Sequence, residues 1–390
     1  MCDPRARPYI VIRPGHAHVR LMHDLANRFE NFGTPVGTAG DPWRRVGVEI
    51  EFMGPGARAA AEAVARDLGG SISMEDPHAY RILGTRLGDM RVETDLRHVH
   101  PQRRNGLGMR LDGRTAALLG DLLSPFVPRE LVTSPLPIGR LSEVQDVMDV
   151  LRSVGGRGRG AVLLDSLGLH FNVDPPCLDA PTVTAFLKAF LLLEGRLRRE
   201  TARGSRRLTI ALPPAFPQDY ARRVLDHGYW PGLAELTDDY LAANPTRNRA
   251  LDLLPLLAWM NEGKVRRALP HEKIGPRPAF HYRLPQAHLS DPGWSLMPDW
   301  ERWLLVEGLA TELGTTCGME TVGRTGVLQG SDCGRIECNH SPAGGSAKGR
   351  GAAPHAKREG DARRSGPDRP KPARASAGVA TPDCRSQDRE

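Results

Sequence analysis

The chain has 390 residues, 40% hydrophobic and 5% aromatic, with 42 Gly, 33 Pro and a formal charge of +7. That length allows one large domain or two medium ones. The charge belongs mostly to the end of the chain: residues 341–390 hold eleven Lys/Arg against six Asp/Glu, so the high pI is weak ground for nucleic-acid binding by the folded part.

Residues 1–42 read as irregular, with a short helix at 19–32 that has no clear docking face, and with no secretory signal. The folded part begins near Trp43. Arg45-Val-Gly-Val-Glu-Ile-Glu-Phe52 alternates at strand period. Val46, Val48, Ile50 and Phe52 share one face; Glu49 and Glu51 share the other. Two such carboxylates stand ~6.7 Å apart and repel by roughly 2.5 kcal/mol at an effective dielectric of about 20. Either that face is wet, as in any half-exposed strand, or a cation sits between the acids, and paired hard oxygens suit Mg²⁺.

Gly54-Pro-Gly56 then breaks the chain, and 57–68 is an Ala-rich helix closed by Gly69-Gly70. Strands follow at 80–83 and 90–96, a helix at 113–123, a strand at 130–134 and an amphipathic helix at 141–154. Gly155-Gly-Arg-Gly-Arg-Gly160 has the look of a phosphate-cradling loop but lacks the Walker lysine and serine, so it reads as a helix-to-strand connection. A strand at 168–173 is ended by Pro175-Pro176. Helices are expected at 180–201, 216–226, 233–243 and 251–261, then a strand at 279–284 and a last helix at 298–312.

Apolar runs at 185–193 and 251–260 are broken by Lys188 and Pro255, and neither has the length of a membrane span. From Ser341 onward Val379 is the only large aliphatic or aromatic residue. Such a segment cannot offset its ordering entropy. The stretch 313–390 is therefore expected to be a disordered, basic, Gly/Pro/Arg-rich tail, and a reading-frame change in the gene would produce such a shift. Six cysteines without framework spacing point to a reduced, cytoplasmic protein. Cys333, Cys338 and His340 lack a fourth zinc ligand at a usual spacing. The Ser and His positions show no nucleophile elbow.

Four further strand-like segments carry polar groups two residues apart or at a strand start. Glu93 and Asp95 share a face, Glu130 opens its strand, His170 and Asn172 share a face, and so do His281 and Arg283. One sheet face could thus gather acids for hard metal ions and an arginine for phosphate, the equipment of phosphoryl transfer. Each element also has an ordinary reading: a satisfied strand histidine, solvated acids, or surface charge at Arg206, Arg207, Arg247 and Arg249.

Val46-Gly-Val-Glu-Ile-Glu-Phe52, Glu130-Leu-Val-Thr-Ser-Pro-Leu136 and Gly168-Leu-His-Phe-Asn-Val173, in this order and spacing, resemble the amidoligase family. That family is grouped with glutamine synthetase and glutamate–cysteine ligase among carboxylate–amine ligases. Pro276-Arg-Pro-Ala-Phe-His-Tyr-Arg-Leu-Pro285 is similar to a late arginine-bearing strand of the group. The resemblance covers roughly 43–307 and implies a catalytic domain at 43–312. Its fold would be α+β: a curved antiparallel sheet, a partial barrel of the glutamine synthetase catalytic type, with helices on the outer face.

The resemblance further implies metal binding by Glu49, Glu51, Glu130 and His170. Nucleotide binding would fall to His170, Asn172, Arg247, Arg277 and Arg283, and catalysis to Glu93, Glu130 and Arg283, with Glu93 placed there by its strand face more than by the match. The cofactors would be ATP and Mg²⁺ or Mn²⁺. ATP would phosphorylate a small-molecule or peptide carboxylate, and an amine would displace phosphate from the acyl phosphate; Glu93 or Glu130 could accept the amine proton. A glutamine amidotransferase-type partner is also implied. One departure stands out: glutamine synthetase-like enzymes carry Glu two residues before the late Arg, where this chain has His281, and histidine binds Mg²⁺ poorly. Three other readings stay open: a guanidino kinase-like phosphotransferase, an inactive remnant, and a basic-tailed nucleic-acid-binding protein.

Overall fold

The alternation of β1 (Arg45–Phe52) organises the molecule: Val46, Val48, Ile50 and Phe52 are fully buried on one face of the sheet. The computed structural model describes residues 44–95, 127–158, 167–202 and 212–324, with side chains to 314. All of these lie in the first of two compact units, Met1–Cys338. Around β1 the sheet adds β2 (Ser71–Asp76), β3 (Ala79–Thr85), β4 (Gly88–Thr94), β5 (Arg129–Thr133), β6 (Leu136–Pro137), β7 (Leu169–Val173), β8 (Leu251–Asp252) and β9 (Phe280–Tyr282). The order is β2-β3-β4-β5-β1-β7-β9-β8, with β6 beside the start of β1. Every pairing is antiparallel. The sheet is open, with β2 and β8 at its ends, and with its helices it makes an α+β fold.

Helices cover the apolar face. The alanines of α1 (Ala57–Leu68) let it lie close behind β3 and β4, with α2 (Val144–Ser153) against it. The long α3 (Ala180–Ala202) pairs with α8 (Met297–Arg324) under β7 and β9. Phe186 of α3 stacks on Phe280 with centroids 4.5 Å apart, and Trp303 of α8 meets Tyr282 at 5.3 Å. A buried ion pair ties the start of β1 to α8: Arg44 Nη2 lies 2.6 Å from Glu307 Oε1, which also accepts the Trp303 indole N–H at 2.7 Å. Short helices α4 (Gln218–Val224), α5 (Leu233–Ala243), α6 (Leu254–Met260) and α7 (Glu262–Ala268) fill the stretch between α3 and β9. Among the described residues no helix is long and apolar enough to cross a membrane.

Several expectations need correction. The helix expected from 251 starts as strand β8, because the free edge of β9 takes up Leu251 and Asp252 before Pro255 enters the first turn of α6. The helix expected from 141 is preceded by a 3₁₀ turn, Ile138–Glu143. Strand β2 was not anticipated, since Ile72 and Met74 alternate but face solvent; α7 was not anticipated either. No proline interrupts α8, which runs past its expected end at 312 to Arg324. Cys177 is disulfide-bonded, against the all-reduced expectation; spacing along a chain does not reveal which thiols come within reach. The segment 1–42, the helix at 113–123, Gly160, Arg206, Arg207, the Cys333–Cys338–His340 cluster and the tail beyond 324 lie outside the described residues.

Candidate active site

Sheet register gathers the polar face. Glu93, Glu130 and Glu51 stand side by side across β4, β5 and β1. In the next polar row along β1, Glu49 stands opposite His170 of β7. Beyond it Asn172 is opposite His281 of β9, and His281 is opposite Asp252 of β8. Eight polar side chains from six strands therefore share one face of the sheet, joined by pairings between segments far apart in sequence.

Glu49 is the hub. Its Oε2 lies 3.0 Å from His170 Nδ1 and 3.4 Å from His281 Nε2. Its Oε1 accepts from Asn172 Nδ2 at 2.8 Å and lies 3.4 Å from Arg277 Nη2. Burial by itself would raise the Glu49 carboxyl; the nearby His281 and the hydrogen-bonded His170 together outweigh it and hold it well below the usual range. Glu51 Oε2 accepts the Gly168 N–H at 2.7 Å, while its Oε1 lies 4.0 Å from His170 Nε2. Gly168 also makes room for the imidazole, since a Cβ there would stand 2.2 Å from His170 Nε2. Burial, then the charges of Glu49, Asp95, Glu51 and Glu93, push the Glu130 carboxyl well above the usual range. A divalent cation among these acids would remove that repulsion.

A cavity of about 510 Å³ opens over this face, a size that suits a small-molecule site. Its acidic wall holds Glu49, Glu51, Glu93, Asp95 and Glu130; its basic wall holds Arg247, Arg277 and Arg283. Arg283 donates from Nη1 to the Arg247 carbonyl at 2.6 Å, fixing the two together. Among the described residues, Arg247 Nε, Arg277 Nε and Nη2, and Arg283 Nε are buried without a hydrogen-bond partner. Buried donors of this kind are costly unless a ligand satisfies them.

The expected residues Glu49, Glu51, Glu93, Glu130, His170, Arg247, Arg277 and Arg283 all line the cavity. Asn172 does not: its amide stands behind Glu49. Glu93 is ion-paired with Arg91, Nε to Oε2 at 3.0 Å. Sequence reasoning missed Asp252. Its Oδ1 accepts the N–H of Leu254, the first residue of α6, at 3.0 Å, and its Oδ2 lies 3.5 Å from His281 Nδ1. Asp252-Leu-Leu-Pro255 carries a legible helix-start signal, but nothing local announces the second oxygen's neighbour. Thr246, Asn248 and Glu272, also lining the cavity, were not anticipated.

Two donor groups have ligand atoms within 4.8 Å of one another: Glu51–Glu130–His170 and Glu49–His170–His281. The first, with two carboxylates, fits a hard divalent cation such as Mg²⁺. The second, with one carboxylate and two imidazoles, does not.

Neither a curated protein nor a solved structure matches the chain. A family model described as "Putative amidoligase enzyme" matches residues 42–305, which hold every cavity-lining residue and all nine strands. The chain therefore belongs to the amidoligase family, a family of ligase-type enzymes.

Proposed function

We propose that this protein is an ATP-dependent carboxylate–amine ligase, built on a sheet of the glutamine synthetase catalytic type, that forms an amide through an acyl phosphate. One observation carries the reading: a single cavity is lined by in-register acids, Glu93–Glu130–Glu51, and by three arginines that each keep a buried nitrogen without a hydrogen-bond partner among the described residues. The acids suit the cations that accompany a triphosphate, and the guanidiniums suit phosphate or carboxylate oxygens.

Glu51 and Glu130 would hold a divalent ion with His170, and the bound ion would neutralise charge that develops on phosphate. Arg247, Arg277 and Arg283 would orient the nucleotide phosphates and the acceptor carboxylate, aligning the carboxylate oxygen with the γ-phosphorus. The carboxylate takes the phosphoryl group and ADP leaves. The amine's lone pair then attacks the acyl carbon, phosphate departs, and the proton from nitrogen passes to the carboxylate of Glu93, which Arg91 holds in an ion pair. Asn172 acts through Glu49 as a positioning residue. The amine would come from a free donor or from a glutamine amidotransferase-type partner.

The test is ATP-dependent phosphate release across a panel of carboxylates and amines, with Mg²⁺ and Mn²⁺, coupled to mass detection of the amide. Phosphorylated acceptor without amide would favour a guanidino kinase-like phosphotransferase instead. Wild-type turnover by Glu51→Ala would remove the basis of the proposal.

A further inference from the structure

Strand β2 ends the sheet away from the cavity, whose lining takes no residue from β2 or β3. Among the described residues its outer edge pairs with nothing, so a row of backbone N–H and C=O groups is open there. Four large apolar side chains are exposed among the described residues, and two of them, Ile72 at 39% and Met74 at 66%, stand two positions apart on this strand. Register puts Ile72 beside Ile82 and Met74 beside Tyr80, both buried. The apolar face of the sheet therefore runs out to the edge, past α1, which lies behind β3 and β4. Native sheets blunt such an edge with charge, proline or a bulge. Ser71-Ile-Ser-Met74 has no charge and no proline, and the bulge of β2 comes after it, at Glu75.

A second copy of this chain fits the edge. A two-fold axis perpendicular to the sheet would join two β2 strands antiparallel, with opposite residues on the same face. The axis must then pass through a residue: Ile72, Ser73 or Met74. Through Ile72, it leaves Met74 opposite the partner's Gly70, with no side chain to cover it. Through Met74, it sets Ile72 opposite the partner's Asp76, an acid. Through Ser73, it sets Ile72 opposite the partner's Met74 and Met74 opposite the partner's Ile72 on the apolar face, with serine against serine on the other. Charge agrees with that register. Ser71 meets the partner's Glu75, an acid whose Oε1 lies 3.1 Å from Arg81 Nε of its own chain, and no like charges stand opposite one another.

We propose that β2 is a homodimer edge: two copies of this chain join antiparallel along Ser71–Glu75, centred on Ser73, into one continuous sheet. Such a seam falls well short of the ~20–30 residues a side of a standard interface, so the dimer is weak and exchanges with monomer. It leaves the cavity of each copy intact, because β3 and β4 stand between. Association needs no nucleotide, metal or substrate and is independent of the ligase reading.

Sedimentation velocity of the full chain, over a concentration series into the high micromolar range, reads the association. Wild type is expected to pass from monomer to dimer. Ile72→Lys and Met74→Glu each occur twice in a two-fold dimer, and each should weaken it about 10–100-fold. Both side chains face solvent in the monomer, and thermal melting shows whether each variant is folded; Met74→Glu, at the more exposed position, serves alone if Ile72→Lys is not. An equimolar mixture of the two variants should regain association. The Ser73-centred register sets the new lysine of one chain opposite the new glutamate of the other, and the remaining isoleucine opposite the remaining methionine. Wild type that stays monomeric, because its own chain or another partner covers β2, would overturn the proposal. Dimers that survive either folded variant would do the same, as would a mixture of folded variants that associates no better than each alone.

Discussion

Replacing Gly168 by alanine probes how the site is held without removing a polar group. The new Cβ would stand 2.2 Å from His170 Nε2 and 3.0 Å from Cδ2 and Cε1. No side chain tolerates that approach, so the imidazole must swing away from Glu49. The φ angle at Gly168 lies outside the left-handed region, so the backbone accepts alanine. The Gly168 N–H bond to Glu51 is also available to alanine. What is lost is the 3.0 Å contact between His170 Nδ1 and Glu49, worth about 1.5–3 kcal/mol when one partner is charged. A metal site that depends on this imidazole should weaken about 10–100-fold. Overall stability should fall by about 1–3 kcal/mol from crowding, a few degrees in melting temperature at this size. Mn²⁺ titration, ATP turnover and thermal melting of Gly168→Ala measure the three quantities. Gly139→Ala is the control, because a Cβ there meets nothing within 4 Å. Wild-type metal affinity and turnover in Gly168→Ala would refute the claim that Gly168 sets the place of His170.

Glu307→Gln should destabilise the fold by about 3–5 kcal/mol, since it leaves Arg44 buried without its counter-charge; denaturant unfolding measures it, and turnover by the folded fraction should change little. Glu51→Ala should abolish ATP turnover while melting normally, because Glu51 lines the cavity and its apolar neighbours Ile50 and Phe52 carry the packing. Metal-free protein should lose stability as pH rises above the ordinary carboxylate range. Burial and neighbouring acids raise the Glu130 carboxyl in the folded state, so its contribution is present at low pH and lost as it ionises. Saturating Mn²⁺ or Glu130→Gln should flatten that slope in thermal melts taken across pH. Asp299, pushed up to about 6 by burial despite its bond to Arg302, should add a loss of the same sign between about pH 4 and 6, removed in Asp299→Asn.

Much of the sheet was legible because its strands alternate. The buried faces of β1 and β7 follow from period two, and α1 and α5 end where glycine, helix propensity and a break in apolar spacing end them. Short elements were less so: a two-residue strand such as β8 has no period, and only the edge of β9 makes it one. The same limit applies to the site. Glu49 and Glu51 were marked as a pair by their own strand, as were His170 and Asn172. That Asn172 would stand behind Glu49 and leave the cavity to others depended on the β1–β7 register. Asp252 carried a helix-start signal and nothing more, yet its second oxygen faces His281 across β8 and β9.

The sequence by itself determined which residues could carry charge on a strand face and which faces had to be buried, because side-chain direction alternates within one segment and needs no partner. It also determined the order of motifs that marks the family. Only the tertiary structure decided which of those faces meet. Register between strands separated by scores of residues is fixed by the whole apolar face packing at once, and that packing sets Glu93, Glu130 and Glu51 in one row. It also turns His281 from a departure in a motif into a second imidazole beside Glu49.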